Sequence, residues 1–219
     1  MKRLLFGVLA LLAPVLVMAG TSAQSFDEGI EYQRIDPPVP TDSGHKVEVV
    51  EFFWYGCPHC YHFEPELDKW LAHKPKDVEF KRIPAILGSR WAPLARAFYT
   101  EKLLGVFDKT HQALFDAIHK DRRLKLLRDE GALADFFAQH GVSKDKFRST
   151  YNSFAVDMDV RRARDLTQRY GIDGVPSMAV AGRYRTSGQL AGDNQRMLDV
   201  VDFLVRKERS ASSGAASGE

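Results

Sequence analysis

Apolar and polar positions follow two different periods along the chain, and each period predicts its own kind of element. Residues 46–56 (KVEVVEFFWYG) place β-branched and aromatic side chains on both alternating faces, which predicts a central strand covered on both sides. The apolar positions after this strand recur at helical spacing, at Phe63, Leu67, Trp70 and Leu71. Residues 78–86 (VEFKRIPAI) predict a second strand, so this part of the chain is expected to run strand, helix, strand.

The second half of the chain combines a helical block with a short hairpin. From Trp91 to about Tyr151 the apolar stripes have the helical period. A longer helix follows, and its apolar face is formed by Val156, Val160, Ala163, Thr167 and Tyr170. Residues 174–188 (GVPSMAVAGRYRTSG) contain two short apolar runs around Gly182, which predict a hairpin. The final helix presents an apolar stripe made of Met197, Leu198, Val201, Leu204 and Val205.

The two ends of the chain differ in character from the part between them. Residues 1–23 combine two basic side chains, an apolar run over 4–19 and small residues up to Ala23, which is the pattern of a cleaved secretory signal peptide. An uncleaved membrane anchor is the alternative, although the run is short for a membrane span. A lipoprotein anchor is disfavoured because no cysteine follows the run. Residues 209–219 are rich in Ser, Gly and Ala and are predicted to be a disordered tail.

Charge and cysteine content narrow the classes of function. The formal net charge of +2 falls close to zero if the signal peptide is removed, so neither nucleic acid nor acidic lipid is expected as a partner. The chain has two cysteines, Cys57 and Cys60, and outside the cytoplasm such thiols form disulfides that persist. A chain of this length can fold without a stabilising disulfide, and a disulfide that closes so short a loop adds little stability. Redox chemistry therefore explains the pair better than stability does.

The cysteine pair lies at the predicted junction between strand and helix, within the stretch WYGCPHCYHF. Cys57 is expected at the helix start, where the N-terminus favours an anion, and Pro58 suits the first helical turn. A charge-assisted hydrogen bond from His59 adds to this effect. Together the two contributions are expected to lower the pKa of Cys57 by about two units. Cys60 follows one turn later and is expected to be more shielded.

Two other uses of a Cys-x-x-Cys pair fit the sequence less well. A c-type haem requires a histidine directly after the second cysteine, and Tyr61 occupies that position. A structural zinc ion requires four ligands, and the sequence offers no second Cys-x-x-Cys and no clear histidine pair, so no metal is predicted. His111 falls on an apolar stripe and is expected to be a core or boundary residue.

Several motifs resemble those of the DsbA family of thiol–disulfide oxidoreductases. The matching pieces are EFFWYGCPHC (51–60), FEPEL (63–67), NSF (152–154) and GVPSMAV (174–180). The resemblance implies an α/β, thioredoxin-like fold with an inserted all-helical domain. The implied divisions are a signal peptide (1–23), a discontinuous thioredoxin-like domain (24–86 and 156–208), the helical insertion (87–155) and the tail (209–219).

The resemblance also implies roles for individual residues near the cysteines. Cys57 and Cys60 are expected to form a redox-active disulfide, with Cys57 as the reactive sulfur. Glu51 is expected beneath the site, where it handles the proton of Cys60. Its partner would be Arg82 or, if the register differs by one, Lys81. Read without the resemblance, Glu51 is a carboxylate at a solvent-reaching strand end, because an unpaired buried carboxylate is costly.

The resemblance further implies a substrate-binding role for Val175 and Pro176. Few bonds before proline are cis in folded proteins, yet thioredoxin-like folds share a cis proline that faces the cysteine pair. The Val175–Pro176 bond is therefore expected to be cis. It would leave the backbone of Val175 available for strand-like pairing with a substrate peptide.

The implied function is that of a monomeric periplasmic enzyme that donates its disulfide to newly exported proteins. Reduced or unfolded exported proteins are the expected substrates, and a quinone-linked membrane protein of the DsbB type is the expected reoxidising partner. No cofactor is expected. Two alternatives stay open, a disulfide isomerase or reductase and a non-enzymatic periplasmic chaperone whose activity needs neither cysteine.

Overall fold

The structure of the protein, a computed structural model, describes residues 25–216, and they form five strands and eight α-helices. The strands are β1 (Gln33–Arg34), β2 (Val47–Phe53), β3 (Val78–Pro84), β4 (Ser177–Val180) and β5 (Tyr184–Ser187). The helices are α1 (Pro58–His73), α2 (Ala92–Leu103), α3 (Phe107–His119), α4 (Glu130–Gln139), α5 (Lys144–Tyr151), α6 (Phe154–Arg169), α7 (Gly188–Ala191) and α8 (Asn194–Ala216). From β2 onward their order along the chain is the one that the two periods predict, whereas the short elements β1 and α7 were not predicted.

The five strands form one sheet in the order β1–β5–β4–β2–β3. The predicted central strand, β2, is parallel to β3 and antiparallel to β4, and all its residues after Val47 are buried. The predicted hairpin is also present, since β4 pairs antiparallel with β5. Its turn has positive φ angles at Ala181 and Gly182, a backbone that suits the tight turn of a hairpin.

The helices between β3 and β4 enclose an aromatic core that reaches the end of β2. Its fully buried members include Leu94, Leu114, Phe115, Leu133, Phe136, Phe137 and Phe147. Phe53, Tyr55 and both cysteines belong to the same apolar cluster. The segment that carries the cysteines is therefore held between the sheet and the helical block. The predicted apolar face of α6 is likewise buried, at Val156, Val160, Ala163 and Thr167.

Residues 209–216 are helical, and the prediction of disorder is wrong for them. Helix α8 continues to Ala216, where the sequence predicts a disordered tail from residue 209. A helix that is already packed propagates with one hydrogen bond per added residue, so this extension needs no apolar face of its own. The guanidinium of Arg209 also forms an ion pair with Asp77, with its Nε 2.7 Å from Oδ2.

Three further points concern the signal peptide, membrane-spanning helices and a proline near the N-terminus. The predicted signal peptide, residues 1–23, lies outside the described residues. Within residues 25–216, no helix combines the length and the apolar composition that crossing a bilayer requires. The bond between Asp36 and Pro37 is cis, which the sequence did not indicate.

Candidate active site

Cys57 marks the point at which the chain leaves β2 and enters α1. Its amide donates to the carbonyl of Trp54 over 2.9 Å, and its own carbonyl accepts from the amide of Tyr61 over 3.1 Å. The extended backbone of Cys57 (φ −92°, ψ 118°) makes it the N-cap, and Pro58 occupies the first turn as predicted. The unpaired amides of the first turn therefore lie close to the Cys57 sulfur, where they favour a negative charge.

The Cys57 thiol is stabilised as a thiolate by its neighbours in this turn. Its pKa is lowered to about 6, chiefly because the Cys60 thiol donates a hydrogen bond to it. The backbone amides of Cys60 and His59 and then the charge of His59 lower the pKa further, while burial opposes them. The direction agrees with the prediction. The leading contribution of Cys60 was not predicted, and the His59 charge makes a smaller contribution than expected.

The Cys60 thiol differs from the Cys57 thiol, because its surroundings favour the protonated form. Its side chain is fully buried, and both thiols are free in this structure. Burial raises the pKa of Cys60 well above its usual range, and the hydrogen bond to Cys57, the charge there and the charge of Glu51 raise it further. At neutral pH the pair therefore consists of a thiolate at Cys57 and a thiol at Cys60.

Val175 and Pro176 face this pair from the other half of the chain. The Val175–Pro176 bond is cis, as predicted, and the Cys57 sulfur lies 3.4 Å from the carbonyl oxygen of Val175. His59 is exposed beside them. A groove runs along this edge of the molecule and is lined by His59, Val175, Pro176, Ser187, Gly188 and Asn194.

A stacked pair of tryptophans supports the turn from the side of the helical block. The rings of Trp54 and Trp91 stack with centroids 4.4 Å apart and an interplanar angle of 25°. The Trp54 ring also covers Gly56, where an added Cβ would lie 2.5 Å from ring carbons. Glycine is therefore required at position 56 by the close approach of this ring.

Glu51 lies beneath the cysteines in a buried ion-pair cluster. It is fully buried, so its interpretation as a solvent-reaching residue at a strand end is wrong. Arg82 donates from Nε to Glu51 and from Nη2 to Glu64, each over 2.8 Å. Lys81 faces the other way and pairs with Glu48 over 2.7 Å. Of the two partners predicted for Glu51, the structure selects Arg82.

Burial dominates the protonation of both carboxyl groups in this cluster. It raises the pKa of Glu51 and that of Glu64 to about 7 each, although the charge of Arg82 lowers both. The Oε1 oxygen of each group has no hydrogen-bond partner among the described residues. These carboxyl groups can therefore exchange a proton near neutral pH.

Sequence reasoning did not single out Glu64, which shares Arg82 with Glu51. A signal was present, because Glu64 lies between the apolar positions 63 and 67 of α1 and so close to its buried face. The sequence shows this position, but it does not show that a cation from β3 meets the carboxylate there.

Comparison with known proteins places these features in a family. The family model described as a DSBA-like thioredoxin domain matches residues 82–204. The thiol:disulfide interchange protein DsbA of Pseudomonas aeruginosa is 41% identical over 212 residues, which cover 97% of this chain and 99% of the relative. The DsbA of Azotobacter vinelandii is 42% identical over 217 residues, covering 96% and 100%.

Solved structures agree with the sequence relatives. The crystal structure of Pseudomonas aeruginosa DsbA matches with a TM-score of 0.81 and 43% identity, covering 86% of this chain and 97% of the other. The oxidoreductase DsbA from Xylella fastidiosa matches with a TM-score of 0.77 and 37% identity, covering 82% and 96%. The predicted thioredoxin-like fold is confirmed, whereas the division into domains stays a prediction. The chain therefore belongs to the DsbA-like thioredoxin family of thiol–disulfide oxidoreductases.

Proposed function

We propose that the protein donates the Cys57–Cys60 disulfide to reduced exported proteins. The observation that carries this proposal is the asymmetry of the two sulfurs, with a pKa of about 6 for Cys57 and a pKa well above the usual range for Cys60. The contacts that stabilise the thiolate act on the reduced pair and not on the disulfide. The disulfide is consequently a strong oxidant, and about 1.4 kcal/mol of such stabilisation corresponds to ~30 mV.

In the first step, a substrate thiolate attacks the sulfur of Cys57. A bond forms between the substrate sulfur and Cys57, the Cys57–Cys60 bond breaks, and Cys60 leaves with the electron pair. Because the pKa of Cys60 is high, this thiolate takes up a proton. Glu51, whose pKa is about 7, is the proposed donor of that proton.

In the second step, another thiolate of the substrate attacks the substrate sulfur of the mixed disulfide. The substrate disulfide forms, and Cys57 leaves as a thiolate that the helix start and Cys60 stabilise. The substrate loses two electrons and the enzyme gains them. The low pKa of Cys57 makes it a good leaving group, which favours this direction.

Reoxidation uses the same groups in reverse. The Cys57 thiolate attacks a disulfide of the oxidising partner, Cys60 transfers its proton to Glu51, and the Cys60 thiolate then displaces the partner's sulfur from Cys57. A DsbB-type membrane protein is the proposed partner, and the periplasm is the proposed location, on the strength of the predicted signal peptide and of relatives named as thiol:disulfide interchange proteins. The monomeric state stays a prediction, which sedimentation would test.

The groove beside Cys57 is the proposed site for the substrate peptide. The Val175 carbonyl lies within contact of the Cys57 sulfur, so a peptide paired with this backbone would hold its cysteine next to the reactive atom. Such pairing uses main-chain groups and tolerates many substrate sequences.

The test mixes the oxidised protein with reduced, unfolded ribonuclease A. We expect one substrate disulfide for each enzyme disulfide consumed and no reaction with Cys57→Ser. Cys60→Ser, which has no disulfide to donate, is mixed instead with ribonuclease that still holds disulfides; its Cys57 thiolate should open one of them and stay trapped in the mixed disulfide. An isomerase would instead act mainly on scrambled ribonuclease. A chaperone would suppress aggregation equally well when both cysteines are replaced by serine, and that result without disulfide transfer would refute the proposal.

A further inference from the structure

A small cavity lies beside the active-site turn, where that turn meets the helical block. Its volume is about 350 Å³, and three apolar and two basic side chains line it, namely Trp54, Arg90, Trp91, Leu127 and Arg128. The Trp54 ring also lies directly against Gly56, the residue before Cys57. We call this space the Trp54 cavity. It shares no lining residue with the groove beside Val175, so it is a second recess next to the reactive cysteine.

The Trp54 cavity combines an apolar floor with a basic rim. Trp54, Trp91 and Leu127 are half-buried, whereas Arg90 and Arg128 are exposed. The two indole rings stack with their centroids 4.4 Å apart, and Leu127 packs against the same apolar cluster as Trp54. A suitable occupant therefore has an apolar stem that covers the rings and an anionic end that reaches the guanidinium groups.

The two guanidinium groups of the rim have no counter-charge. Within residues 25–216, no ion pair or side-chain hydrogen bond joins Arg90 or Arg128 to another residue, and no carboxylate lines the cavity. Arg161 on α6 shows the contrast, because it is equally exposed and pairs with Asp157 over 2.7 Å. Two like charges at one small cavity disfavour each other, and a bound anion removes that cost.

The groove beside Val175 offers less to an anion. Its lining includes one carboxylate, that of Asp193, and one imidazole, that of His59, and it includes no guanidinium or ammonium group. Asp193 is exposed, and its Oδ1 accepts from the backbone amide of Arg196 over 2.7 Å. Of the two recesses beside Cys57, the Trp54 cavity is thus the one that attracts a carboxylate.

A peptide that pairs with the Val175 backbone lies within reach of this cavity. Val175 packs against the same apolar cluster as Trp54 and against the same second cluster as Trp91. The carbonyl oxygen of Val175 is also 3.4 Å from the Cys57 sulfur. Because an extended chain advances ~3.3–3.6 Å per residue, a side chain two or three residues from the substrate cysteine lies roughly 7–11 Å from it. Such a side chain can enter the Trp54 cavity.

From this arrangement we propose that the Trp54 cavity is a subsite for an acidic side chain of the substrate, two or three residues from the substrate cysteine. This inference rests on the proposed function and gives it a preferred class of substrate. Glutamate should fit better than aspartate, because its longer apolar stem covers the indole rings while its carboxylate reaches Arg90 and Arg128. Neither arginine contacts Cys57, so both are specificity-determining residues and not catalytic residues.

The first test measures binding without turnover. Capped peptides carry serine in place of the cysteine and one glutamate two or three residues away on either side, and matched peptides carry glutamine there. They are titrated into the oxidised protein while the indole N–H signals are followed by NMR. We expect the best glutamate peptide to shift the signals of Trp54 and Trp91 and to bind roughly twofold to fivefold more tightly for each arginine engaged, the range that exposed ion pairs give.

Trp70 is the internal control for this titration, because its indole donates to Asp202 over 2.9 Å and does not line the cavity. Its signal should not shift. Equal affinities of the glutamate and glutamine peptides at every position would overturn the proposal, and so would equal shifts at all three tryptophans.

The second test measures the rate at which the corresponding cysteine peptides reduce the oxidised protein, by acid quenching and mass spectrometry. The measured quantity is the rate for the glutamate peptide divided by that for the glutamine peptide. Comparing this ratio between variants cancels the effect of glutamate on the peptide's own thiol. We expect the ratio to fall by roughly threefold to tenfold at low salt when Arg90→Gln and Arg128→Gln are combined. The fall should be smaller at high salt, where these exposed charges are screened.

Arg164→Gln is the matched control, because it removes one exposed positive charge from α6, outside the cavity. Its ratio should equal that of the wild type. Arg128→Glu should instead favour a peptide with lysine at the same position. An equal ratio in the double variant and in Arg164→Gln would refute the subsite.

Disulfide transfer to reduced ribonuclease A separates this proposal from the proposed function. If the oxidised protein does not transfer its disulfide while the glutamate peptides still bind at Trp54 and Trp91, the proposed function fails and the acidic-peptide site stands. If the disulfide is transferred but neither peptide affinity nor the rate ratio depends on Arg90 and Arg128, the subsite is refuted and the oxidase proposal is untouched.

Discussion

The sulfur of Cys57 lies 3.4 Å from the carbonyl oxygen of Val175, a residue 118 positions further along the chain. The contact joins the start of α1 to the loop that leads into β4. A thiolate beside a carbonyl oxygen gains no stabilisation from it, so the oxygen does not explain the low pKa of Cys57. Its position suits a different purpose, namely holding the backbone of an incoming peptide beside the reactive sulfur.

The two thiols should differ sharply in their reaction with an alkylating reagent. We expect iodoacetamide to modify Cys57 with a half-maximal rate near pH 6, because the pKa of Cys57 is about 6 and the thiolate is the reactive form. Cys60 should stay unmodified at that pH. Mass spectrometry of the reduced protein provides the measurement, with Cys57→Ser as the control. Equal labelling of the two cysteines at pH 6 would contradict the assignment.

Replacing Cys60 should affect the Cys57 thiolate more than replacing His59 does. The Cys60 thiol makes the largest contribution to the low pKa, and a hydrogen bond to a charged group is worth ~1.5–3 kcal/mol. Cys60→Ala should therefore raise the pKa of Cys57 by about one to two units. Cys60→Ser keeps a donor and should raise it less, and His59→Ser should have a smaller effect than Cys60→Ala. The pKa of Cys57 in all three variants is measured from thiolate absorbance as a function of pH. A larger increase in His59→Ser than in Cys60→Ala would show that the histidine makes the larger contribution.

The stability of the oxidised protein should fall as the pH rises from about 6.5 to 8. Folding raises the pKa of Glu51 and Glu64 to about 7 and that of Glu101 to about 8, so the folded chain binds more protons than the unfolded chain in this window. His111, whose pKa falls to about 3, acts in the opposite direction below 6.5. In the oxidised protein Cys57 is part of a disulfide and does not titrate, so it does not contribute to this pH dependence of stability.

Urea unfolding at several pH values measures this dependence. Glu101→Gln should flatten the decline, because the amide does not ionise, and the difference from the wild type should grow toward pH 8. A wild-type stability that rises with pH between 6.5 and 8 would show that these carboxyl groups ionise freely in the fold.

Gly56→Ala should destabilise the fold by about 1–3 kcal/mol, the usual effect of overpacking. A Cβ at this position would lie 2.5 Å from the Trp54 ring, which would have to leave its stack on Trp91. Gly88→Ala is the matched control, because a Cβ there would meet Trp91 at an ordinary 3.9 Å. Urea unfolding followed by tryptophan fluorescence measures the stability of both variants. Equal losses of stability in the two variants would show that the fold adjusts to the added Cβ at position 56 without cost.

The elements around the site could be predicted from the sequence because their signals are local. The apolar run of β2, the helical spacing after Cys60 and the glycine at the tip of the hairpin each depend on neighbouring residues. The partner of Glu51 could be narrowed to Arg82 or Lys81, because two adjacent strands bring side chains of one face together. The register, which the sequence left open, pairs Glu51 with Arg82 in the structure.

The contacts from the helical block could not be predicted in this way. Tyr55 and Glu101 are 46 residues apart, and no periodic pattern shows which face of α2 meets the end of β2. The sequence did contain a hint, because Glu101 continues the apolar stripe that includes Leu94 and Phe98. A carboxyl group on such a stripe is costly unless it is protonated or hydrogen-bonded, and here hydroxyl groups from two other elements bind it. His111, predicted as a core or boundary residue, is buried as expected and joins the same network.

The central position of β2 also determines how the protein withstands mechanical load. Under the proposed function, a substrate joined to Cys57 in a mixed disulfide would transmit any tension to the point where the chain leaves β2. That force passes into a strand that is paired with β3 on one side and with β4 on the other. A pull along the strand must shear both rows of hydrogen bonds at once instead of unzipping them one at a time. Tension on a bound substrate would therefore have to break two strand pairings together before β2 left the sheet.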